Sequence, residues 1–131
     1  MAGYEANQEH LKKLSLLGKP LARRSRRRCE LCESSGVKLE AFEVPPVSSE
    51  PEFERTLFLC ETCITQINKP AKVQPARWRC LSNAVWSETE VVQVMAVRLL
   101  RRLGETEAWA SELLQDLYIE PETESWINQA N

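Results

Sequence analysis

The chain has 131 residues, 43% of them hydrophobic and 27% charged, which suits one domain or a small module with a helical appendage and excludes a disordered polymer. Its net charge of −2 argues against a protein devoted wholly to nucleic acid. The longest apolar run, "VVQVMAVRLL", is broken by Gln93 and Arg98 and cannot span a bilayer, and "MAGYEANQEHLKK" lacks the order of a secretory signal, so a soluble, cytoplasmic protein is expected.

In chain order, "EANQEHLKKLSLL" (5–17) places Leu11, Leu14, Leu16 and Leu17 at helical spacing. Gly18 is expected to close that helix, and Pro20 to sit in the first turn of a second one reaching about Arg28. "VKLEAFEV" (37–44) alternates and predicts a strand or hairpin, while the prolines of "PPVSSEPE" forbid regular structure. "TLFL" (56–59) is a second short strand, and "ITQIN" after Cys63 reads as a helix stopped by Pro70.

The second half reads as helical. Ser87-Glu88-Thr89-Glu90 has the form of a capping box ahead of a helix ending at Leu103, with Arg98, Arg101 and Arg102 toward its C-terminus and Gly104 beyond. A further helix is predicted over about Thr106–Tyr118, and Pro121 opens a last one carrying Trp126 and Ile127. Trp78, Trp86, Trp109 and Trp126 are expected in the core. Three regions follow: a helical segment 1–25, a compact module 26–70, and a helical region 71–131 packing on that module.

Five cysteines stand at 29, 32, 60, 63 and 80. In a reducing compartment an odd set does not suggest disulfides. "CELC" and "CETC" are C-x2-C pairs separated by 27 residues, and four thiolates in two such pairs supply the closed tetrahedral shell of a structural Zn²⁺. Cys29, Cys32, Cys60 and Cys63 are therefore the predicted ligands of one zinc ion. A redox dithiol needs only one pair, and an iron–sulfur cluster fits less well with strands ahead of the pairs. Residues 26–70 hold few large apolar side chains, so metal binding would decide whether the module folds. The fold class expected is a small α+β zinc module, of treble-clef or zinc-ribbon type, followed by an α-helical half. The order knuckle, hairpin, knuckle opening a helix favours the treble clef.

The segments "RRCELC", "FEVPP", "LFLCETCITQI", "RWRCLSNAVWSE", "VVQVMAVRLLRRL" and "EAWASELLQDLYIEPET" together resemble the PhnA family of small bacterial zinc-ribbon proteins, over roughly residues 20–127. The resemblance implies zinc on the same four cysteines and a link, in name only, to alkylphosphonate utilisation. Longer family members continue into a β-rich C-terminal domain that this sequence does not contain. Either the chain is a natural short form or it represents a longer protein in part.

The paired cysteines also resemble the scaffold of HNH endonucleases, but that chemistry needs a histidine base and further metal ligands. The hairpin holds none; the sole histidine, His10, is expected to be an inert helical residue. Glu40 and Glu43 read as exposed strand residues. Cys80 reads as a packed thiol beside Trp78 and Leu81, the alternative being a nucleophile whose pKa is lowered by Arg77 and Arg79.

Charge is unevenly spread: residues 1–80 hold 14 Lys and Arg against 10 Asp and Glu, and residues 81–131 hold 3 against 9. On a helix reaching Arg28, Arg23 would share a face with Arg27, and Arg24 with Arg28. Such pairs suit phosphate contacts, giving sequence-blind nucleic-acid binding as the alternative function; pairing with the acidic half, or plain solvation, competes with it. The expectation is a non-enzymatic zinc protein acting as an interaction module on an unknown protein or nucleic-acid partner, with no membrane and no small-molecule substrate.

Overall fold

The computed structural model describes residues 2–129. Helices α1 (Ala2–Ser15) and α2 (Gly18–Ser25) lead into strands β1 (Leu39–Glu43) and β2 (Thr56–Cys60), followed by α3 (Glu61–Asn68), α4 (Leu81–Ala84), α5 (Glu90–Leu103), α6 (Ala108–Gln115) and α7 (Pro121–Asn128). The class is α+β, with one two-stranded sheet among the described residues. No helix is long and apolar enough to cross a membrane.

The run Glu90–Leu103 becomes the helix on which α4, α6 and α7 pack. Val91, Val92, Val94, Met95, Ala96, Val97, Leu99, Leu100 and Leu103 are all buried, so α5 is covered on more than one face, as a helix apolar around most of its girth must be. Its two mid-helix polar residues both find partners: Gln93 Nε2 donates to Val85 O (3.2 Å), and Arg98 donates to Trp126 O (2.6 Å) and Ile127 O (3.1 Å). Those last two bonds satisfy carbonyls near the end of α7, where a helix has no partners of its own. One apolar cluster joins Leu57 and Leu59 of β2, the cysteines and Trp78 to α5 and α7.

β1 and β2 pair antiparallel from Leu39 opposite Cys60 to Glu43 opposite Thr56. The loop between them is irregular as the prolines require, with a cis Pro45–Pro46 bond. β2 is buried along nearly its whole length, because β1 covers one edge and α5 packs near it.

Several local expectations are corrected. Gly18 opens α2 instead of closing α1, and α2 stops at Ser25 because Arg26 and Arg27 turn left-handed (φ 58° and 60°). Ser87 does not cap α5: Thr89 does, without a side-chain bond, while Ser87 Oγ accepts from Thr89 N (3.1 Å). Glu90 is drawn instead to Thr123 Oγ1 of α7 (2.8 Å), a tertiary contact that outcompetes the local box. Trp78 and Trp126 are buried and Trp109 partly so, but Trp86 is 55% exposed, in the turn after α4. Glu43 is not a solvated strand residue either; its side chain is 14% exposed and lies 2.6 Å from His10 Nε2.

Candidate metal centre

The first cysteine pair sits on a tight loop. Cys29 N donates to Ser34 O (2.9 Å), Glu33 N donates to Cys29 O (2.8 Å), and Arg28 and Ser35 form an isolated antiparallel bridge beneath it. Glu33 (φ 64°) and Gly36 (φ 71°) supply the left-handed positions that reverse the chain. The second pair ends β2 and begins α3: Cys60 is the extended N-cap residue and Cys63 lies in the first helical turn. A cysteine there faces the positive end of the helix dipole, which favours the thiolate.

These two elements bring Cys29, Cys32, Cys60 and Cys63 together with all four sulfurs within 4.8 Å of one another. Cys29 Sγ is 3.6 Å from Cys63 Sγ, and Cys32 Sγ is 3.7 Å from Cys60 Sγ. A tetrahedral ZnS4 shell with bonds of ~2.3 Å has sulfur–sulfur edges of about 3.8 Å. The tetrad therefore fits a single ion of that size. Its soft, all-sulfur donor set suits zinc among divalent ions.

With protons alone in the shell, the bond with the Cys63 thiol draws Cys29 down to about 4, burial opposing it and the backbone of Cys32, Cys60 and Leu31 adding smaller shares. The same pairing, followed by burial, pushes Cys63 above the ordinary thiol range, and burial first of all raises Cys60. Crowded sulfurs cannot all ionise unaided, and a divalent cation relieves that repulsion.

A positive charge already lies against the tetrad, and it is barely marked in the sequence. The Arg77 guanidinium donates from Nη1 to Cys63 Sγ (3.3 Å) and from Nη2 to Cys60 Sγ (3.6 Å) and Cys32 Sγ (3.7 Å). Burial opposes the charge on Arg77, but the bond to Cys63 and the thiolate charges hold it protonated above its usual range. Arg77 also stacks over Trp78 (5.7 Å to the ring centroid), and Trp78 Nε1 donates to Gln66 Oε1 of α3 (2.8 Å). The short spacing "RWRC" is the one visible hint, and it does not say which arginine turns inward.

Cys80 is half-buried against the core, outside the tetrad. Burial pushes its thiol up to about 11, the Cys32 charge adds to that, and Arg77 offsets only part. Arg79 is spent on the Trp109 ring, 4.7 Å from its centroid. The placement of Cys80 agrees with the packed thiol read from the sequence and does not favour the alternative of an arginine-activated nucleophile.

The arginine run is divided in two. Arg24 turns inward: Nε donates to Glu30 Oε2 (2.9 Å), and Nη2 donates to Glu30 Oε1 (2.6 Å) and Thr56 O (2.7 Å). Arg23, Arg26, Arg27 and Arg28 are exposed. Because α2 ends at Ser25, the shared helix faces expected for Arg23 with Arg27 and Arg24 with Arg28 do not form. Nor does the run pair with the acidic C-terminal half; its one ion pair among the described residues joins α2 to Glu30 of the first cysteine loop.

Comparison with protein-family models, with curated proteins and with solved structures finds no match to this chain.

Proposed function

We propose that the chain is a non-enzymatic, zinc-stabilised interaction module of PhnA type, with one structural Zn²⁺ on Cys29, Cys32, Cys60 and Cys63. The observation that carries the reading is the sulfur tetrad, whose 3.6 and 3.7 Å separations suit the edges of a ZnS4 shell. Four sulfurs fill every coordination position, so the ion stabilises the fold and offers no site for water or substrate. A knuckle at 29–32, the β1–β2 pair, and a helix opening on the second cysteine pair support a treble clef over a zinc ribbon. The resemblance to PhnA proteins belongs to this proposal and rests on the quoted segments.

An HNH-like reaction finds no support in the placement of His10. Its ring nitrogens are engaged by Glu43 and by Ser49 O (3.2 Å), at the end of β1 away from Leu39 and Cys60. Metal analysis of the purified full chain tests the reading: close to one zinc per chain is expected, released together with loss of the folded structure. Well under one equivalent, or metal-dependent turnover of a nucleic-acid substrate, overturns it.

A further inference from the structure

The exposed arginines sit on a turn whose backbone is unusual and well pinned. Two successive non-glycine residues at positive φ are uncommon, yet Arg26 N donates to Arg23 O (3.3 Å), Arg27 N to Ala22 O (2.9 Å) and Arg28 N to Ser25 O (3.2 Å). The left-handed pair ends the helical repeat, so the side chains leave in divergent directions. Beyond this, the inward Arg24–Glu30 pair anchors the turn to the cysteine loop. A backbone pinned in this way has already met part of the ordering cost of binding, while the exposed side chains keep their own freedom.

Beside this turn lies a cavity of about 310 Å³ between the first cysteine loop and the α4–α5 turn. Arg26, Arg28 and Glu33 line one side, and Asn83, Ser87 and Thr89 the other. A second cleft of about 280 Å³ on the α2 side is bordered by Lys19, Arg23 and Arg27. Among the described residues, none of Lys19, Arg23, Arg26, Arg27 and Arg28 makes an ion pair or a side-chain hydrogen bond. Arg24 and Glu30 cancel within the first cavity, leaving Glu33 as its one unpaired carboxylate. The two clefts together carry five free cations against that single acid. Trp86, 55% exposed, adjoins Ser87 on the cavity wall.

We infer that these paired clefts bind single-stranded nucleic acid, with backbone phosphates on Arg23, Arg26, Arg27 and Arg28 and a base stacked on Trp86. The inference names a partner for the interaction module proposed above and rests on that reading for its scaffold. Cations divided between two clefts suit a string of phosphates better than a lone anion. An exposed indole one residue before Ser87, on the wall that faces the cations, favours unpaired bases, whose faces are open to stacking. Asn83 and Ser87 add neutral donors of the kind that accompany phosphate contacts. The rest of the chain has a net acidic balance, which opposes adhesion to an anionic membrane.

The test is fluorescence anisotropy of labelled oligo(dT) with the zinc-loaded full chain, across a salt series. Four phosphate contacts on a single strand predict a log–log salt slope of about −3. Arg26→Asn with Arg27→Asn keeps residues that accept the left-handed backbone and is expected to weaken binding by about tenfold or more while reducing the slope by about 1.4. Trp86→Ala is expected to cost at least about fivefold without changing the slope, and Glu33→Gln to strengthen binding. Absence of an anisotropy change at low salt overturns the inference, as does duplex DNA binding equally well with Trp86→Ala silent. Retention on phosphatidylglycerol vesicles without oligonucleotide binding overturns it in favour of a lipid surface. Zinc content is measured on each sample: oligonucleotide binding by a chain that carries no zinc refutes the metal reading alone.

Discussion

Arg24 and Glu30 form a forked ion pair, with contacts of 2.6 and 2.9 Å, that ties the end of α2 to the first cysteine loop. Only 16% of the Arg24 side chain and 6% of the Glu30 side chain is exposed. Glu30 lies inside "CELC" and also holds β2, its Oε1 accepting from Phe58 N (2.8 Å) while Glu30 N donates to Phe58 O (3.0 Å). Arg24 closes the arrangement through Phe53 O (3.2 Å), Thr56 O and the Phe53 ring at 4.7 Å. One ion pair thus sets the first cysteine pair against the strand that delivers the second.

Removing one partner of such a pair leaves the other charge buried, which costs about 3–5 kcal/mol. Arg24→Ala and Glu30→Ala are each expected to lose that much in urea unfolding of the zinc-loaded chain. The double variant should lose less than the sum, by about 1–3 kcal/mol. Additive losses, or a loss below about 1 kcal/mol for either single variant, would show that the pair is a bystander.

The cysteine tetrad was legible because C-x2-C spacing encodes its own geometry, and the long helix because nine apolar residues recur along one run. The partner of Arg24 was not legible. It depends on β2 returning to the loop 28 residues after Glu30, which no local pattern records. Likewise the Ser87–Glu90 box satisfied every local rule, yet Glu90 is claimed by Thr123 from 33 residues away. The left-handed Arg26 and Arg27 were missed for a related reason. Arginine is a good helix former, and nothing in the sequence marks the end of α2.

Arg77 is expected to tune the metal centre as a positioning residue. A ZnS4 unit carries a net charge of −2, and a guanidinium donating to three of its sulfurs delocalises that charge and limits attack on the thiolates. Loss of such an outer contact typically lowers metal affinity about 10–100-fold. Competition with a chromophoric chelator should show that loss for Arg77→Ala and a smaller one for Arg77→Lys, which keeps the charge without the fork. Unchanged affinity and unchanged zinc release by a thiol oxidant would assign Arg77 to packing against Trp78 alone.

Gln66 gives a prediction independent of metal affinity. It is buried, with Oε1 accepting from Trp78 Nε1 (2.8 Å) and Gln74 N (3.0 Å), and Nε2 donating to Gln74 Oε1 (3.2 Å). Gln66→Ala strands two donors, each at a cost of about 1–3 kcal/mol, whereas Gln66→Glu keeps both acceptor contacts. Thermal unfolding should therefore rank the alanine variant well below the glutamate one. Equal melting of the two would mean that Gln74 and Trp78 find other acceptors.

The attachment of α1 is expected to depend on pH through His10. The bond to Glu43, aided by Ser49 O, raises its pKa above the ordinary 6.5, with partial burial and then Lys13 opposing. Lys13 is itself held by Glu50 (2.8 Å) and Glu9 (3.6 Å), so the groups facing His10 are one carboxylate, one carbonyl and a neutralised lysine. Because the folded pKa lies above the unfolded one, the protonated pair stabilises the docked helix fully below about pH 6.5 and is lost as pH rises through the raised value. Hydrogen exchange of α1 amides, corrected for intrinsic rates, should show weakening protection across that window, and His10→Gln should flatten the profile. A His10 imidazole titrating at or below 6.5 by NMR, or an unchanged profile in the glutamine variant, would rule out this contact as the source.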